Sequence, residues 1–166
     1  MKYLLSCFAL FLTTSVFASD EDIISALQEE SNFQTLSEQM EKKSLGLVLM
    51  FHAEFCPYCA QMENEILSPM IKSKEYDERV FIRKLQIDEA RDVVDFAGKT
   101  VEPSDISDRY NASLTPTLVF LDYKGRERAT QMVGINTVEL FGAYLENEID
   151  TLKANIDADL KKSGRK

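Results

Sequence analysis

Five apolar residues in a row, Leu47 to Phe51, are followed by a few small or polar positions and then by a polar, helix-forming stretch. So short and unbroken an apolar run predicts a central strand, Leu47 to His52, buried on both faces. A second strand is expected over Arg79 to Asp88, "RVFIRKLQID", which alternates and is rich in β-formers. Between them, Ala60 to Leu67 reads as helix. Proline disfavours helical geometry in its predecessor, so Ser68-Pro69 should interrupt it before a second piece, Met70 to Tyr76. Helix between strands implies a crossover and a parallel pair. Upstream, Ser19 to Lys43 reads as helical, with capping residues and acids in "SDEDIISALQEE" and a break near Ser31-Asn32. Downstream, "VVDFAGKTVEP" predicts a small hairpin turning at Gly98-Lys99, and Ser104 to Ser113 a short helix. "TPTLVFLD" is a strand beginning at a proline, "YKG" a turn, and "RERATQMVG" the strand that returns antiparallel. From Thr137 to about Lys162, Val138, Phe141, Leu145, Ile149, Leu152, Ile156 and Leu160 step by threes and fours, one stripe of a long helix.

The first residues bear on compartment. Met1-Lys2 is positive, Tyr3 to Thr13 mostly apolar, and Val16-Phe17-Ala18 fits a small-x-small cleavage site. That pattern predicts a secretory signal peptide, residues 1–18, cleaved after Ala18. Its apolar run falls short of the ~20 residues a membrane span needs, so no stable membrane insertion is expected after cleavage. Almost no apolar region precedes Cys7, which argues against acylation there. The remainder, 19–166, has the usual size of one domain. It divides into an N-terminal helical extension (19–43), an insertion (89–103) and a C-terminal helix (137–162), with no linker between them. The net charge of −9 argues against nucleic acid, which demands basic stripes. An acidic surface chiefly confers solubility.

Loss of the signal peptide removes one of three cysteines and leaves Cys56 and Cys59, in Cys-Pro-Tyr-Cys, where a strand hands over to a helix. Exported proteins sit where disulfides persist. A cysteine opening a helix lies where free N–H groups and the positive end of the dipole converge. Such surroundings lower a thiol pKa from about 8.5 to between roughly 3.5 and 7.5. The thiolate is the attacking species in disulfide exchange. Cys56 is therefore the expected nucleophile and Cys59, one turn on, the resolving thiol. A structural zinc site wants four ligands, and His52 is the only histidine. No metal is expected, a soft-metal carrier using Cys56, Cys59 and Met62 being the alternative. A purely structural bridge across so small a loop removes little chain entropy.

Thr115-Pro116-Thr117 is the second feature. Proline within a central strand removes a ladder donor and is tolerated at the first residue. A cis Thr115–Pro116 bond would aim the backbone edge outward beside the cysteines, where an extended peptide can pair with it. An ordinary trans proline is the alternative, since only ~5% of X–Pro bonds are cis.

In order and approximate spacing, "LVLMFHAEFCPYC", "KLQID", "YNASLTPTLVFLDYKG" and "MVG" resemble the thioredoxin superfamily over nearly the whole mature chain. The resemblance implies an α/β fold with a central mixed β-sheet flanked by helices, here carrying the N-terminal extension and the long C-terminal helix. It makes Pro116 the cis-proline beside the active site and Gly134 the glycine that lets substrate approach. Export, the Pro57-Tyr58 pair that tunes the thiols, the insertion and the threonine before the proline look most like bacterial periplasmic thioredoxins of the SoxW type. Two positions depart from the family. Phe55 stands where cytoplasmic thioredoxins carry tryptophan, and Met50 where they bury an aspartate that relays the resolving thiol's proton. Glu54 or Lys84 acting through water, or bulk solvent, must then serve Cys59; their ordinary readings are a solvated loop acid and a surface lysine. His52 either tunes the thiolate or packs at the strand end.

Cys-Pro-Tyr-Cys is also the usual glutaredoxin motif, but "QMVGIN" lacks the double glycine that holds glutathione. No cofactor beyond the cysteine pair is expected. The implied function is a monomeric reductase that acts on protein thiols and disulfides and keeps periplasmic cysteines reduced. A membrane electron donor of the DsbD/CcdA type would recharge it. The alternatives are a disulfide oxidant or isomerase, and a thioredoxin-fold binding module without turnover.

Overall fold

An apolar run with no polar face can be hidden only at the middle of a sheet, and there the run lies. The computed structural model describes residues 26–135 and 137–164. The expected signal peptide, 1–18, and residues 19–25 of the expected helical extension lie outside the described residues. In chain order the elements are α1 (Phe33–Lys43), β1 (Gly46–His52), α2 (Pro57–Met62), a π-helical segment (Glu63–Leu67) and α3 (Ser68–Ser73). Then come β2 (Val80–Gln86), β3 (Val93–Val94), β4 (Thr100–Val101), α4 (Pro103–Arg109), β5 (Thr117–Leu121), β6 (Met132–Val133) and α5 (Val138–Lys162). The main sheet runs β2-β1-β5-β6. β1 pairs in parallel with β2, Gly46 against Val80 through His52 against Gln86, and antiparallel with β5, Leu47 against Leu121 through Phe51 against Thr117.

Successive strand residues face opposite sides, so β1 serves two cores. Val48 and Met50 join Cys59, Met62, Leu118, Phe120 and the α5 stripe on one side. Leu47, Leu49 and Phe51 join Phe33, Leu36, Met40, Ile106 and Tyr110 from α1 and α4 on the other. Phe141, Leu145, Ile149, Leu152 and Ile156 of the predicted stripe are buried, so α5 turns its apolar face to its own domain.

Three expectations need correction. Residues 26–32 are not helical: after a bend at 26–27 the backbone runs extended, with isolated bridges at Glu29 and Asn32. The helix starts only at Phe33, where the Asn32 side chain accepts the Thr35 N–H at 2.9 Å. The preceding backbone covers the outer edge of β2: Lys84 N–H donates to Gln28 O (3.0 Å) and Glu30 N–H to Lys84 O (2.8 Å). An uncovered strand edge leaves donors and acceptors without partners, and that demand wins over local helix signals. Second, Ser68-Pro69 does not break the helix. Ser68 is helical (φ −66°, ψ −42°), and its N–H reaches back five residues to Glu63 O. The wide turn takes up the irregularity that proline imposes. Third, the returning strand is reduced to Met132–Val133, plus a bridge at Glu127. α5 takes part of that backbone instead: Asn155 Nδ2 donates to Arg128 O at 2.7 Å, and Thr130 N–H donates to Glu148 at 2.8 Å.

The predicted hairpin is present, β3 against β4, with Gly98 at φ +81° where a side chain is strained. Asp95, 1% exposed, holds it together. Its carboxylate accepts the Ala97 and Lys99 N–H groups, each at 2.9 Å, and Arg109 from α4 at 2.8 Å. Burial works to raise the Asp95 pKa, but the Lys99, Arg109 and Ala97 hydrogen bonds outweigh it and hold the carboxyl below the usual range. A lowered folded pKa means stability present above the unfolded value and lost as pH falls through the folded one. Asp95→Ala should therefore cost about 2–4 kcal/mol at pH 7. In urea melts from pH 7 to pH 2 the gap to wild type should narrow at the acid end; a constant gap would remove the carboxylate from the account.

Candidate active site

β1 delivers the chain to the sheet end where β5 begins, since Phe51 pairs with Thr117. Shortly after β1, Cys56 caps α2 with extended backbone (φ −121°, ψ 95°), and Pro57 occupies the first turn. Proline there supplies a preset φ and lacks only an N–H that had no partner anyway. The Cys56 Sγ accepts the Cys59 N–H at 3.2 Å, and Cys56 O accepts the Cys59 and Ala60 N–H groups at 3.0 and 3.2 Å. Cys56 and Cys59 are joined as a disulfide. The two sulfurs differ in environment. Cys59 is 4% exposed within the apolar core, whereas Cys56 is half-buried at its margin. An incoming thiol meets Cys56 first.

The Thr115–Pro116 bond is cis. Pro116 O accepts the Gly134 N–H at 2.8 Å, which ties the proline loop to β6. Gly134 has φ +71°, and the position a Cβ would take is open. Apolar side chains stand exposed around this end: Phe55 (89%) and Tyr58 beside the disulfide, Leu114 before Thr115, Val133 before Gly134, and Leu140 and Tyr144 at the start of α5. Val133, Gly134, Leu140 and Tyr144 line a cavity of about 380 Å³.

Of the two candidate proton carriers, Glu54 lies exposed in the loop after β1, with its N–H donating to the Asp88 carboxylate at 3.2 Å. Lys84 is not a surface lysine. Its Nζ lies 3.0 and 2.9 Å from the two Glu63 oxygens, and these side chains are 16% and 13% exposed. His52 Nε2 pairs with Glu29 Oε2 at 2.9 Å. Burial works to raise the Glu29 carboxyl, yet the His52 pairing, the Gln86 N–H and nearby Lys84 hold it below its usual pKa. Sequence alone does not single out Glu63, Asp88 or Glu29. Glu63 carries the one local signal, four residues after Cys59 on a predicted helix. Among the described residues, no group of three or more His, Cys, Asp or Glu is placed to hold a metal, and no helix is long and apolar enough to cross a membrane.

The thioredoxin-like domain family matches residues 33–149, from the start of α1 into the middle of α5. The chain belongs to that family. No curated protein matches it over its sequence. Among solved structures, thioredoxin O2 of Arabidopsis thaliana in its oxidised state is 24% identical with a TM-score of 0.50, and the match covers 74% of this chain and 94% of that one. Oxidised mitochondrial thioredoxin 3 of Saccharomyces cerevisiae is 20% identical with a TM-score of 0.50, covering 75% and 94%. A mutant thioredoxin of Halobacterium salinarum is 17% identical with a TM-score of 0.50, covering 75% and 93%. At these identities the neighbours show the fold alone. A bonded Cys-x-x-Cys pair on a thioredoxin-like fold fits a thiol–disulfide oxidoreductase.

Proposed function

We propose that this thioredoxin-like protein is an exported reductase that exchanges its Cys56–Cys59 dithiol with disulfides of polypeptide substrates. The observation that carries the proposal is the asymmetry of the pair, an accessible Cys56 at a helix start backed by a buried Cys59. In the reduced protein, the Cys56 thiolate attacks a substrate disulfide and forms a mixed disulfide. Cys59 then attacks Cys56 Sγ, closes the ring and releases the substrate thiolate; two electrons pass to the substrate. Thr115, the cis Pro116 and Gly134 offer backbone edge for an extended segment, and the exposed apolar side chains around them suit an unfolded client. Tyr58 and Pro57 tune the pair.

The remaining assignments are proposals of the same reading. The chain is periplasmic after cleavage at Ala18, of the SoxW type, monomeric, needs no cofactor, and is recharged by a membrane electron donor of the DsbD/CcdA type. The reduction potential tests the direction. Family potentials span about −270 to −120 mV. Equilibration of the mature protein with glutathione buffers, together with an insulin-reduction assay, is expected to give a value towards the thioredoxin end and catalytic turnover. A potential near the oxidising end of that span would reverse the direction, and no turnover would leave the binding-module reading.

A further inference from the structure

We propose that Glu63, held by Lys84, takes the proton from Cys59 during resolution of the mixed disulfide. Its role presupposes the exchange chemistry proposed above.

Cys59 needs such a partner. It is 4% exposed and shares its cluster with Met50, Met62 and Leu118. Burial among apolar groups raises a thiol pKa and makes the thiol inert, yet the thiolate is the species that attacks. Met50, in register with Lys84 on the neighbouring strand, brings no ionisable group to this side of the sheet.

Glu63 is placed to supply what Met50 lacks. Its N–H donates to Cys59 O, so it follows one turn after the thiol. A helical side chain leans towards the N-terminus and covers the turn before its own Cα. Glu63 and Cys59, four residues apart, therefore share one face of the helix. Lys84 reaches it from β2 with both oxygens engaged at 2.9 and 3.0 Å, and the Lys84 backbone is fixed from the far edge by Gln28 and Glu30. Charges largely removed from water are a poor device for stability, because desolvation offsets much of their attraction. What the pair does provide is a carboxylate one helical turn from a buried thiol, steadied in place by a cation. The other charged groups facing this corner are Glu29, on the 26–32 segment near Lys84, and His52 on β1, which are paired with each other. Glu54 is exposed on the loop.

The step balances. The Cys59 S–H bond breaks and its proton passes to the Glu63 carboxylate through water. The freed thiolate forms the bond to Cys56 Sγ, the Cys56–substrate S–S bond breaks, and the substrate leaves as a thiolate that solvent protonates. Glu63 then returns its proton to solvent. Resolution should therefore carry an acid limb that a variant without this carboxylate shifts or loses.

The test separates the two half-steps by stopped flow on the reduced mature protein, with 5,5′-dithiobis(2-nitrobenzoate) as probe. The first equivalent of nitrothiobenzoate reports attack by Cys56, the second reports resolution by Cys59. In Glu63→Gln the second phase is expected to slow at pH 7 by roughly tenfold or more, and its acid limb to move to higher pH. The first phase should stay within about twofold. Glu63→Asp should restore much of the second phase, and Glu63→Ala replaces Glu63→Gln, with the same expected slowing of the second phase alone, if circular dichroism shows that the latter does not fold. An unchanged second phase and pH profile in Glu63→Gln, or equal slowing of both phases, overturns the assignment to Glu63 while leaving the exchange reading intact. Failure of wild type to release either equivalent overturns the exchange reading itself.

Discussion

Cys59→Ser is expected to convert the protein from a catalyst into a trap. Attack on a substrate disulfide needs only Cys56, whose sulfur is the accessible one and already sits 3.2 Å from a backbone N–H at the helix start. Release needs a second sulfur within bonding distance, and serine cannot supply it. Turnover with insulin should fall by about a thousandfold or more, since removing a group that forms a covalent bond costs most of the catalysis it provides. A disulfide-linked complex with the substrate chain should accumulate, visible as a gel shift that dithiothreitol reverses. Cys56→Ser should lose turnover equally but form no complex, because Cys59 is buried. If instead Cys56→Ser forms the adduct and Cys59→Ser does not, the roles of nucleophile and resolving thiol are exchanged. If neither variant differs from wild type, the bridge is structural.

The parts of this molecule that sequence reveals are those whose cause is local. β1 and β5 are legible because both are short apolar runs, and α5 because its apolar residues keep a helical period over more than six turns. Cys56, Cys59 and Pro116 announce themselves by residue type in a fixed context. The segment 26–32 reads wrongly for a physical reason: its partner, the edge of β2, lies far along the chain, and only the assembled sheet creates the demand for a covering strand. The helix through Pro69 is hidden because proline's effect on its predecessor is a preference, and one wide turn satisfies it without a break. The Glu63–Lys84 pair depends on the register that sets Lys84 beside Met50, which no local pattern encodes. Sequence offers Lys84 only as a group acting through water, with a surface lysine as its ordinary reading. A cation on a strand looks solvent-facing until the helix above it is seen to carry its partner.

The interface between α5 and the start of β1 yields the second large effect, on stability. Gly46 opens β1 fully buried, and a Cβ built on it would lie 2.5, 2.7 and 2.9 Å from Cδ2, Cγ and Cδ1 of Leu152. Real Cβ atoms essentially never come within 3.0 Å of a neighbour, so α5 seats against β1 only because this position has no side chain. Glycine within a strand otherwise weakens it, and a close approach is the usual reason to keep one. Leu152 is 1% exposed at the far side of the same contact. Gly46→Ala should cost about 1–3 kcal/mol through overpacking, and Leu152→Ala about 2–5 kcal/mol through the lost side chain and the cavity it leaves. The two changes act on one volume with opposite sign. In the double variant the methyl added at position 46 enters the space that Leu152 vacates, so the combined cost should fall short of the sum by about 1 kcal/mol or more. Urea denaturation of the four proteins measures this coupling. Additivity within about 0.5 kcal/mol would mean that α5 can shift away from β1 on its own, and that the contact does not fix the helix against the face on which Cys59 is buried.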